Sequence, residues 1–156
     1  MDPVLVVIVV IALMAIVLAE GWLKGSGRTG AYRARALMTP NEAEFFGRLV
    51  VALPDHYIFP QVAMTALIGA ASSDKKKAYS DRLRIAQQRV DYVVCDRTCK
   101  VVAVVELDDR THSADKDQVR DARLQQGGIR TVRFQSKNKP GVEALRTAIL
   151  PTTAVS

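Results

Sequence analysis

The chain has 156 residues, 49% of them hydrophobic and 24% charged, with 22 Lys and Arg against 16 Asp and Glu for a net charge of +6. A length of this order holds one domain with a single core. Two cysteines, Cys95 and Cys99, are too few for a four-ligand zinc site, and no second cluster joins them, so they read as incidental residues beside a turn.

From Pro3 to Ala19 every residue is apolar, and Trp22 and Leu23 follow shortly after. The run predicts one N-terminal transmembrane helix over residues 1–23, with Trp22 as an interfacial anchor. Lys24, Arg28, Arg33 and Arg35 follow it, so the positive-inside rule predicts a single-pass protein of a bacterial-type inner membrane with its C-terminal domain in the cytoplasm. An export signal is the alternative, although Asp2 replaces the usual leading cation. All 22 basic residues but only 14 of the 16 acidic ones follow Leu23, which leaves that part at +8. Such a charge suits a polyanion, either nucleic acid or an anionic membrane surface.

Residues 24–36 read as a Gly- and Arg-rich linker. Thr39, Pro40 and Glu42 then spell a capped helix start, and Phe45, Leu49 and Leu53 form its apolar stripe up to Pro54. Residues 57–64 follow as a strand, and the polar stretch 69–80, with Lys75, Lys76 and Lys77, as a mobile loop. Residues 89–95 and 100–108 form two strands around the turn Asp96-Arg97-Thr98. Ser113 suits the cap of a helix over 114–126 that Gly127-Gly128 ends, residues 129–134 alternate as a fourth strand, and a short helix covers 142–150. The order predicts an α/β domain over 37–150, a mixed central sheet flanked by helices, with a tail at 151–156.

The stretch from Lys100 to His112 carries most of the chemistry. Val101 to Val105 is apolar on both faces, as a covered central strand is, and it runs directly into Glu106, Asp108 and Asp109. Buried carboxylates there need a positive partner, either a divalent cation or Arg and Lys side chains. Glu106 and Asp108 leave one face, and Asp91 lies on the neighbouring antiparallel strand. Three carboxylates at one sheet edge form a hard-oxygen site for Mg²⁺ or Mn²⁺. His112 is placed for proton transfer, and Lys116, Arg120, Arg123, Lys137 and Lys139 for phosphates. The competing reading is a solvated acidic strand end, with Glu42 serving only its helix cap and Gln61 a wet strand face.

The segments TPNEAEFF, FPQV, RVDYVV, VVELDDRTH and KDQVRDARLQQGGIRTVRF together resemble the domain-of-unknown-function family 2726 over about residues 37–140. That family is similar in turn to the very-short-patch-repair-like branch of the PD-(D/E)XK, restriction-endonuclease-like fold. The resemblance implies metal-binding roles for Asp91, Glu106 and Asp108, a catalytic His112, and site roles for Glu42 and Gln61. It departs from the fold's pattern where Asp108 takes the place of the usual Lys, which leaves water orientation to His112, Gln61 or Lys116. It departs again where Asp109 replaces a Gly. The implied function is a membrane-anchored, Mg²⁺-dependent nuclease-like domain acting on DNA. The alternatives are a noncatalytic nucleic-acid-binding domain of the same fold and a module whose basic face lies on anionic lipid.

Overall fold

The computed structural model describes residues 2–25, 30–108 and 114–150, with the backbone alone for 17–25 and 114–117. The chain divides into two units, residues 1–35 and 36–156. The first contains helix α1, Pro3–Gly25, whose first turn Asp2 caps by accepting the Val4 N–H at 3.2 Å.

Among the described residues no helix is long and apolar enough to cross a membrane. The expected transmembrane anchor and the inner-membrane placement built on it are therefore overturned.

The second unit is the α/β domain. Its elements run α2 (Pro40–Ala52), β1 (Tyr57–Ala63), a 3₁₀ turn at Met64–Ala66, α3 (Lys75–Ile85), β2 (Arg89–Cys95), β3 (Val101–Asp108), α4 (Ala114–Gln126), β4 (Thr131–Gln135) and α5 (Val142–Ile149). The four strands form one sheet in the order β1-β2-β3-β4. The first two pairings are antiparallel and β3–β4 is parallel, so the sheet is mixed, and α4 supplies the crossover that a parallel pair requires.

Helices cover both faces, which explains why the central strands are apolar without interruption. Tyr92, Val94, Ala103 and Val105 pack against Phe45 and Leu49 of α2 and Leu145 and Ile149 of α5. Val93, Cys95 and Val104 face the other way, onto Ile85 of α3 and Leu124 of α4. Tyr92 is fully buried, yet its hydroxyl donates to the Glu42 carbonyl at 2.8 Å, which ties β2 to the first turn of α2. Burial pushes that phenol well above its usual range.

The start of α2 follows the expected capping box: the Thr39 side chain accepts from the Glu42 N–H, and Glu42 reaches back to the Thr39 N–H. The loop expected at 69–80 is half helix instead. Asp74 caps α3 by accepting the Lys76 and Lys77 N–H groups at 2.8 and 3.0 Å. Only Ile85 of α3 is buried, so the segment carries no apolar period to betray a helix. Cys95 is buried, Cys99 is exposed and both are free thiols. Cys99 takes a φ of 63° in the β2–β3 turn, which Asp96 closes by accepting the Thr98 and Lys100 N–H groups.

Candidate functional site

Glu106 is the buried charged residue of the domain's described part, 2% exposed near the C-terminal end of β3. Its Oε2 meets Arg120 Nη2 of α4 at 3.2 Å. Its Oε1 is buried and has no hydrogen-bond partner among the described residues. Tyr92 pairs with Val105, so one further step along the antiparallel ladder sets Asp91 opposite Glu106. Asp91 Oδ2 accepts the Leu107 N–H at 2.9 Å, closing the end of the ladder with a side chain.

Two carboxyls lying together out of water cannot both ionise cheaply. Burial pushes Asp91 above the usual carboxylate range, against the Leu107 hydrogen bond, and the nearby Glu42 charge adds to it. Burial, followed by the Asp91 charge, pushes Glu106 up to about 8, although Arg120 and Arg133 oppose both effects. At neutral pH the pair therefore holds a proton and titrates as a unit.

Glu42 sits beside this pair and serves both roles expected of it. One carboxylate oxygen completes the α2 cap, and Oε1 accepts from Gln61 Nε2 at 3.3 Å. Gln61 lies between the rungs Pro60↔Tyr92 and Val62↔Val90, with a φ of 55° that is costly for a residue with a side chain. The kink sends its amide toward Glu42. Glu42, Gln61, Asp91, Glu106 and Arg120 thus share one region, assembled from α2, β1, β2, β3 and α4.

Asp108 is turned elsewhere. Its Oδ1 pairs with Arg133 Nη1 at 2.8 Å, and the same guanidinium grips Asp121 of α4 through Nη2 and Nε at 2.8 and 3.0 Å. Arg133 stands level with Glu106 in the parallel β3–β4 register. Sequence reasoning missed Arg133 and Asp121, because a cation in an alternating edge strand reads as solvent-facing. Among the described residues no three His, Cys, Asp or Glu side chains gather as a metal-ligating group. His112 and Asp109 lie outside the described residues, as does the Lys116 side chain.

The expected phosphate ligands are spread out. Arg120 is engaged with Glu106, and Arg123 Nη1 donates to the Arg84 carbonyl at 3.4 Å and to Gln88 Oε1 at 3.3 Å. Lys139 Nζ donates to Asn41 Oδ1 at 2.6 Å and pairs with Glu44, so it fastens the β4–α5 link to α2. Lys137 is exposed. A cavity of about 670 Å³ lies between α3 and α4, lined by Leu67, Ile68, Ile85, Val119 and Ala122, and the acidic pair is not part of its wall.

No curated protein and no solved structure matches this chain. A family profile matches residues 34–152, from just before the α/β domain to just past α5. The chain belongs to the family described as "Protein of unknown function (DUF2726)".

Proposed function

We propose that the α/β domain is a divalent-metal-dependent, restriction-endonuclease-like nuclease domain acting on DNA phosphodiesters, with Asp91 and Glu106 as its metal-holding carboxyls. The observation that carries the reading is the orphaned Glu106 Oε1, buried beside Asp91 in a pair whose burial raises both pKa values. A hard cation is the partner such a pair fits, since it supplies the missing contact and relieves the repulsion. A divalent ion held there would supply Lewis-acid polarisation of a phosphodiester and acidify a bound water. Asp91 and Glu106 would hold it once their shared proton has left. Arg120 keeps Glu106 in place, and Gln61, fixed by Glu42, presents its amide at the rim. His112 is the proton-transfer group that the family resemblance assigns. Lys137 and Lys116 are the cations for the DNA backbone, consistent with the basic balance of the chain.

The test is nicking of supercoiled plasmid by the full chain with Mg²⁺ or Mn²⁺, alongside Mn²⁺ binding followed by paramagnetic resonance. Wild-type protein nicks and binds. Asp91→Asn and Glu106→Gln do neither, while remaining folded by circular dichroism. Plasmid left intact across metals, with Mn²⁺ bound no better than by the variants, sinks the reading.

A second reading is favoured by the two arginines. Arg120 and Arg133 already neutralise Glu106 and Asp108, as a fold kept for nucleic-acid binding without hydrolysis would arrange them. Salt-dependent DNA binding that EDTA leaves unchanged, with no cleavage, singles out this alternative.

A further inference from the structure

Helix α3 takes no part in the acidic site, and its surface has its own pattern. Ala78, Asp81 and Ile85 turn toward the domain, whereas Lys75, Lys76, Lys77, Arg82 and Arg84 are exposed. At about 100° per residue, Lys76, Tyr79 and Leu83 form the outermost row. Lys75 and Arg82 flank that row on one side, and Lys77 and Arg84 on the other. Tyr79 is 65% exposed and Leu83 56%.

The acids nearby offset only part of this charge, and Lys75, Lys76, Lys77 and Arg82 keep theirs. Asp81 is occupied by Arg84 at 2.9 Å, and Asp74 is occupied by the helix's own first N–H groups. The face is therefore an exposed aromatic with cations on both sides of it.

That pattern selects among polyanions. An interfacial lipid-binding helix needs a broad apolar face to insert, and here the apolar row is one Tyr and one Leu wide. Duplex DNA hides its base faces in the stack. A single strand offers both things this surface can hold, closely spaced phosphates for the cations and an open π-face for the ring.

We propose that the outward face of α3 binds single-stranded nucleic acid, with Lys75, Lys76, Lys77 and Arg82 on phosphates and Tyr79 stacked on a base. The proposal shares the nucleic-acid partner of the nuclease reading and is independent of its metal.

The test is fluorescence anisotropy of a labelled oligothymidylate with the full chain in EDTA, over a range of salt, so that a failed metal site leaves the result untouched. Wild-type protein binds more tightly to the single strand than to a duplex of equal length. Replacing Lys75, Lys76 and Lys77 together by Gln flattens the log–log salt dependence by about 2. Tyr79→Ala weakens single-strand binding roughly five- to a hundredfold without changing that slope, and Tyr79→Trp restores it. These side chains are exposed, so circular dichroism should read unchanged helix content. Equal affinity and slope in all variants overturns the proposal. So does binding to phosphatidylserine vesicles without binding to the oligonucleotide, which would assign the face to a lipid surface.

Discussion

Arg133 holds Asp108 and Asp121 with one guanidinium, at 2.8 Å to each, and so clamps β3 to α4 through a residue of β4. The clamp spends on an internal ion pair the carboxylate that the sequence offers as a third metal ligand. Its side chain is 24% exposed, so solvent screens part of the interaction. Arg133→Ala should lower stability by about 1–2 kcal/mol, read as a drop in the denaturant midpoint. Arg133→Lys should recover only part of the loss, since an ammonium cannot grip both carboxylates in one plane. If the acidic pair binds metal, Arg133→Ala should also tighten Mn²⁺ binding by freeing Asp108. A metal affinity that weakens or stays constant would exclude Asp108 from the site.

The Asp91–Glu106 pair sets the pH dependence of stability. Glu106 has its folded pKa raised to about 8, from the 4.5 of an unperturbed carboxyl. Below the lower value both the folded and unfolded chains carry the proton, and the stabilising difference is fully present. As pH rises from there toward 8 the unfolded chain gives up the proton and the folded one keeps it, so stability falls with pH. The loss should amount to roughly a few kcal/mol at most, because the pair shares its titration with Asp91. Urea midpoints measured from pH 5 to 8 should decline for the wild type and stay nearly flat for Glu106→Gln. A wild-type profile as flat as that of the variant would show that Glu106 titrates normally.

Gly127, just after α4, has no room for a side chain. A Cβ there would stand 2.4 Å from Ile68 Cγ2 and 3.3 Å from the Leu124 carbonyl oxygen. Gly127→Ala should cost about 1–3 kcal/mol through overpacking. Adding Ile68→Ala should return part of that in a double-mutant cycle. Strictly additive losses would show that the two positions do not meet.

Asp74 decides whether α3 begins where it does. Asp74→Ala removes the acceptor for two backbone N–H groups, and about 1 kcal/mol of stability with it. Faster hydrogen exchange of the Lys76, Lys77 and Ala78 amides would be the local sign. Unchanged protection there would rule out the cap.

Much of the scaffold is written in local signals. The capping box at Thr39, the doubly apolar Val101–Val105 run and the Gly127-Gly128 stop each place an element, because each reflects a short-range requirement of backbone or burial. The same rules put Asp91 and Glu106 on facing strands from the sequence alone. Helix α3 escapes them, since its lone buried residue, Ile85, gives no period and its cap lies within a polar run. Arg133 and Asp121 escape for another reason. They are brought together by a crossover whose geometry no local pattern encodes. The N-terminal apolar run is a further departure, since among the described residues no helix is long and apolar enough to cross a membrane.

The left-handed turn of the backbone at Gln61 also shapes how the sheet ends. β1 is a terminal strand in the sheet order, where a row of unused N–H and C=O groups invites another chain to add itself. Pro60 withholds one donor from that row, and the φ of 55° at the next residue throws the neighbouring groups out of line. The distortion that carries the Gln61 amide to Glu42 thus also guards the sheet against lengthening into an intermolecular one. A residue there that relaxed to ordinary extended geometry would loosen the acidic site and open a seam for aggregation together.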